Sequence, residues 1–233
     1  MSTVPYTFQI RKFNQFGADY EYAVLRTDLS RVKPEIINAQ MKTKPHIGVN
    51  GGFFHSTDDY KSPPAGLRAI SWWKGDSNSY RYNGTATNQL SRKTFVAYRD
   101  SSNLIRGTHM YAKNLDEVLA NYPTATAVIG GNDYNDWGLD GTFATWRTAF
   151  VWDNSYRYGY MIVTQNKTVN IGTLKTHIEA MGFDPVNSIV LDGSGSSTMR
   201  VVENGAVKLY SSQKDHVRYI GNMIRVFGYD YYG

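Results

Sequence analysis

Short runs rich in valine, isoleucine, threonine and aromatic residues recur from one end of this chain to the other and leave little room for helix. Nine read as strands: residues 20–27, 46–49, 94–98, 125–129, 148–153, 158–165, 187–191, 199–202 and 223–227. Two segments carry a helical period instead. Asn114 stands as an N-cap for a helix running to Asn121, with Glu117 three positions on. In residues 173–181, Leu174, Ile178 and Met181 share one face, and Gly182 follows where a C-cap glycine belongs. This content predicts an α/β (α+β) fold, a single domain over residues 1–233 with a large mixed, curved β-sheet and a few flanking helices. The 41% hydrophobic content suffices for a core, and the 18 tyrosines suit half-buried sheet faces.

The absence of cysteine excludes disulfide scaffolds, thiolate zinc sites and cysteine nucleophiles. The five histidines (His46, His55, His109, His177 and His216) lack the spacing of a zinc motif. No stretch approaches the roughly 20 apolar residues of a membrane span. The start, Met1-Ser2-Thr3-Val4-Pro5, lacks the pattern of a secretory leader, so synthesis in the cytoplasm is expected. Such a product would suit a phage or prophage gene, released by lysis or carried on a virion. A net charge of +5 either favours polyanions such as phosphorylated glycans or serves solubility alone. The cations are spread rather than striped, so nucleic acid is not an expected partner.

Three segments look like sites. Asn50-Gly51-Gly52-Phe53-Phe54 follows the strand at 46–49, where two glycines let a ligand approach the backbone N–H groups closely, although Asn-Gly is also an ordinary tight turn. Leu191-Asp192-Gly193-Ser194-Gly195-Ser196-Ser197-Thr198 places one carboxylate at a strand end beside many donors. Asp192 could then be a base, a nucleophile or a metal ligand. Trp146-Arg147-Thr148-Ala149-Phe150 carries an arginine into a strand, suited to a phosphate or to a surface ion pair. His55, just after the first loop, could serve as a general acid or sit on the surface.

In order and rough spacing these segments resemble the motifs of the phosphodiester glycosidase family: Asn50 to Phe54, Arg147 to Ala149, Leu191 to Thr198, and Arg218 with Asn222 near the end. Ala65-Gly66-Leu67 and Gly130-Gly131 are similar to two further family segments, so the likeness runs from about Tyr20 to Phe227. Two positions depart from the pattern. Ser194 stands where the family has glycine, and Thr145-Trp146 stands where a His-Pro often precedes the arginine.

The resemblance implies hydrolysis of a sugar-1-phosphodiester, on phosphorylated cell-wall glycans or nucleotide sugars. Ordinary glycosidases need two carboxylates, but a phosphate monoester leaves far more readily than a sugar hydroxyl. One carboxylate, a donor-rich loop and a cation can then suffice. Asp192 is expected to act on the sugar, and Arg147, with the N–H groups of Gly193, Ser194, Gly195, Ser196 and Ser197 and those of Gly51 and Gly52, to hold the phosphate. Asn50 and Asn222 would orient the sugar or the loops, with Arg218 at the substrate. No cofactor is required; Asp192 with Asp133, Asp136 or Asp140 could offer oxygen ligands to Ca²⁺, although the Asn132–Asp136 loop lacks the terminal glutamate of a calcium loop. The alternative is a binding module that holds a glycan or nucleotide sugar at the same loops without turnover, with Trp72, Trp73, Trp137, Trp146 and Trp152 stacking on sugars.

Overall fold

A computed structural model describes residues 4–15, 17–212 and 217–232. Met1 to Thr3, part of the segment behind the leader reading, and His216 lie outside the described residues. In chain order the strands are β1 (Tyr6–Gln15), β2 (Ala18–Asp28), β3 (Val32–Gln40), β4 (His46–Asn50), β5 (Phe54–His55), β6 (Gly66–Leu67), β7 (Ser71–Trp73) and β8 (Arg92–Arg99). They continue as β9 (Ile105–Ala112), β10 (Ala125–Gly130), β11 (Thr148–Asp153), β12 (Tyr158–Thr164), β13 (Ser188–Val190), β14 (Thr198–Glu203), β15 (Ala206–Ser211) and β16 (Tyr219–Asp230). Only two α-helices occur among the described residues, α1 (Leu115–Asn121) and α2 (Ile171–Ala180), and none is long and apolar enough to cross a membrane.

The protein is β-rich with few helices, and the expected single mixed sheet is corrected. The strands form three sheets, ordered β1-β2-β12-β11-β13, β15-β14-β4-β16-β3 and β7-β10-β8-β9, with a small β5-β6 hairpin. Every strand pairing among the described residues is antiparallel. The inner faces of all three sheets meet in one cluster that includes Leu25, Phe150, Trp152, Phe95, Ile129, Val49 and Ile224. Phe95 anchors it, with ring centroids 4.8 Å from Phe150 and 4.9 Å from Trp152. Trp152 is therefore core, not a sugar platform.

Helices cover part of the outer face of the first and third sheets. Helix α2 sets Ile171, Leu174 and Ile178 on Val24, Ala149 and Ile162 of the first sheet. Helix α1 sets Leu115 and Val118 on Val96 and Val128 of the third. Central strands buried on both faces lose the polar alternation that marks a one-sided sheet, which is why β4, β10 and β11 read as plain apolar runs. Capping holds the helices in place: Asn114 Oδ1 accepts from the Glu117 N–H at 3.0 Å, as its spacing predicts. Helix α2 begins earlier than expected because Asn170, whose side chain accepts from the Thr173 N–H at 2.7 Å, is the cap.

A candidate active site at the strand ends

The loop after β4, the loop after β13 and the start of β11 converge through one side chain. Asn50, fully buried, closes β4. Its Nδ2 donates to the Asp192 carbonyl at 2.7 Å, and its Oδ1 accepts from the Thr148 hydroxyl at 2.8 Å and the Thr198 N–H at 3.0 Å. An amide offers both donor and acceptor, so Asn50 can tie a carbonyl, a hydroxyl and an N–H together. Its role is thus to orient the loops. The Gly51 N–H donates to Asn222 O at 2.8 Å, and the Asp192 N–H donates to Gly51 O at 3.2 Å.

The glycines here are needed for close approach. A Cβ on Gly51 would stand 2.4 Å from Asn222 Oδ1, and one on Gly52 2.6 Å from Gly130 O. On Gly193 it would meet Trp146 O at 2.8 Å. Gly52 and Gly193 thus let loops stack with backbone against backbone, and Gly51 makes room for the Asn222 side chain.

Asp192 follows β13, half-buried, and burial pushes its carboxyl up to about 6. The Ser196 hydroxyl, the Arg218 charge and the Gly193 N–H draw it back less strongly. Ser196 is buried, while Asn222 is 3% exposed with an Oδ1 that has no hydrogen-bond partner among the described residues. Arg218 lies with its Cζ 3.2 Å from the centre of the Tyr60 ring, and its buried Nε is likewise unpartnered. Tyr60 reaches that position from a turn in which Asp59 and Tyr60 both take positive φ, 57° and 66°. A carboxyl with a raised pKa beside unspent donors and acceptors is what a reaction centre needs and what a structural loop avoids.

Arg147 is placed differently from expectation. It is 3% exposed, and its guanidinium donates to three carbonyls: Val169 at 3.3 Å, Asp140 at 3.2 Å and Phe143 at 2.9 Å. Its Cζ lies 5.1 Å from the Trp137 ring centre, and Trp137 in turn meets Phe53 edge-on at 5.7 Å. Arg147 thus pins the 137–146 segment over the Asn50 turn, and the cation whose charge acts on the Asp192 carboxyl is Arg218. His55 is exposed on the β5-β6 hairpin, where its backbone pairs with Gly66.

The Asp133 carboxylate named in the calcium reading is engaged by its own neighbours. Asp133 is held by the buried Lys93 ammonium at 2.8 Å and turns its other oxygen to the Asn135 N–H at 3.1 Å. No group of three or more acidic or histidine residues among the described residues could hold a metal ion.

The model of the phosphodiester glycosidase family matches residues 43–227 of this chain. The chain belongs to that family. Solved structures share its fold. The catalytic domain of zebrafish N-acetylglucosamine-1-phosphodiester α-N-acetylglucosaminidase, held auto-inhibited by its pro-peptide, superposes with a TM-score of 0.63 at 15% identity, covering 95% of this chain and 82% of its own. A Synechocystis protein matches at TM-score 0.57 and 14% identity over 96% of this chain and 62% of its own. A Burkholderia pseudomallei protein matches at 0.56 and 11%, over 89% and 74%. Among curated proteins, none matches the chain in sequence. Identities this low carry the fold alone.

Both departures from the phosphodiester glycosidase pattern can be placed. Ser194 takes a φ of 55°, the left-handed conformation glycine adopts freely, with an exposed side chain and its N–H on Trp146 O at 2.7 Å. Thr145 pairs through its backbone with Val169, so no imidazole is supplied there. Tyr60 was not legible as a site residue, because a tyrosine in a polar loop carries no signal until Arg218 is folded onto it.

Proposed function

We propose that this phosphodiester glycosidase hydrolyses a sugar-1-phosphodiester with Asp192 as the base. The observation that carries the reading is the Asp192 carboxyl itself, pushed up to about 6 yet faced by Ser196, the Gly193 N–H and the charge of Arg218. At neutral pH it is ionised and more basic than an ordinary aspartate. It takes a proton from a water; the water oxygen bonds to the anomeric carbon as the bond from that carbon to the phosphate oxygen breaks. The phosphate monoester departs with one more negative charge, which Arg218, preorganised on Tyr60, is placed to stabilise. Asn222 Oδ1, buried and free to accept, suits a sugar hydroxyl. Arg147 acts by holding the 137–146 segment, and Asn50 by setting the position of Asp192.

The test is release of free sugar from an α-N-acetylglucosamine-1-phosphodiester and from UDP-N-acetylglucosamine, by wild type and by Asp192→Asn. Turnover that disappears in the variant supports the reading, and turnover retained there removes Asp192 from the mechanism. The second reading, a glycan binder without turnover, draws on Thr145 standing where the family often has histidine. Binding of both substrates with no sugar released by wild type would select it.

A further inference from the structure

Helix α2, ten residues and so about 15 Å long, is too short to cover the outer face of the first sheet. It ends at Ala180, and Gly182, at a φ of 88°, turns the chain away. Beyond that end the face changes character. Where α2 sits, the sheet presents Val24, Ala149 and Ile162; past it, the sheet presents Arg26, Tyr158 and Tyr160. These line an open groove of about 730 Å³ with Tyr156, Phe183 and Arg11.

The groove is built rather than incidental. Phe183 packs on Tyr160 at 4.5 Å between ring centres, and the Arg26 guanidinium lies 4.6 Å from the centre of the Tyr158 ring. Tyr156, 71% exposed, stands at its edge. Planar rings that carry hydroxyls suit the faces of sugar rings, which are apolar above and below and polar around the rim. Two guanidinium groups, Arg11 and Arg26, against the single carboxylate of Asp153 add a positive charge that selects an anion. Thr148, at the Asp192 end of β11, and Asp153, in the groove, are five residues apart, or about 17 Å along the strand. The groove is thus separate from the candidate active site, yet on the same sheet.

We infer that this groove is a second binding site, for a phosphate-bearing glycan chain, which it holds while the Asp192 site acts elsewhere on the same polymer. The inference rests on the proposed function for what happens at Asp192, but binding in the groove does not. A polymer can occupy both places, whereas a single sugar phosphodiester cannot.

The experiment uses the full chain with a polymer of N-acetylglucosamine 1-phosphate as probe, and neutral chitotetraose as control. Calorimetry in the Asp192→Asn background reads binding without turnover. Expected is polymer binding weakened at least tenfold by Tyr158→Ala with Arg26→Gln, and weak chitotetraose binding throughout. In the otherwise wild-type enzyme, the same pair should raise KM for the polymer and leave kcat/KM for a small phosphodiester unchanged. Circular dichroism and the small-substrate rate confirm that the variant is folded. Unchanged polymer affinity in the folded variant overturns the inference, as does chitotetraose binding as tightly as the polymer. If no substrate is turned over yet the groove variants lose polymer binding, the active-site reading fails and the groove stands.

Discussion

At the scale of single residues, Asp192 makes opposite demands on stability and activity. Burial raises its carboxyl above the value in an unfolded chain to about 6. A raised pKa means that the native state favours the protonated form, so the contribution is fully present below about pH 4 and is lost as pH rises through 6. With about two pKa units at stake, the native protein should lose up to ~3 kcal/mol over that window from this group. Asp192→Asn, which cannot ionise, should melt at a higher temperature than wild type at pH 7 and at about the same temperature at pH 4, by calorimetry. Turnover should follow the reverse course, with kcat/KM rising as the carboxylate forms near pH 6; a profile flat from pH 4 to 8 would contradict the base assignment. Arg218→Gln should lower kcat more than it alters KM, since the charge it meets grows as the phosphate departs.

Elements meet at this site through very few side chains, so their loss should be felt structurally. Asn50 links the end of β4 to the start of β11 and to both ends of the Asp192 loop. Asn50→Ala removes three buried hydrogen bonds, to a hydroxyl, an N–H and a carbonyl, and should cost about 3 kcal/mol or more in urea unfolding. Lys93 on β8 and Asp133 form a second tie of this kind. Asp133→Ala leaves a buried ammonium without its partner and should cost about 3–5 kcal/mol. Millimolar Ca²⁺ should leave the melting temperature of wild type unchanged, whereas a clear rise would reinstate a cation at that loop. The same geometry shows what a motif cannot. The Arg147-Thr148-Ala149 segment is placed by the fold as expected, but the guanidinium is spent on carbonyls of its own neighbourhood.

Across the whole molecule, three sheets share one interior, and net charge is positive at +5. Capture of a polyanionic glycan should therefore weaken steadily between 50 and 500 mM NaCl, as screening shortens the reach of that charge to a few ångströms. The β-rich character, the nine strands read from apolar runs, and both helices with the Asn114 cap were legible in the sequence, because backbone preference and capping act over a few residues. Strands β1, β3, β9 and β15 and the short β5, β6 and β7 escaped notice; β1 does alternate, with Phe8 and Ile10 packed against the shared core and Gln9 and Arg11 turned to the outer groove. The family was legible too, and so were the tight turns at Gly51, Gly52 and Gly193, since close approach demands glycine. Only the tertiary structure decided that the sheets are separate and antiparallel, that the Arg147 guanidinium is spent on three backbone carbonyls while Arg218 lies on Tyr60, and that His55 is exposed on the β5-β6 hairpin. Those depend on which residues distant in sequence come to share one small volume, and no local pattern encodes the direction in which a side chain spends its hydrogen bonds.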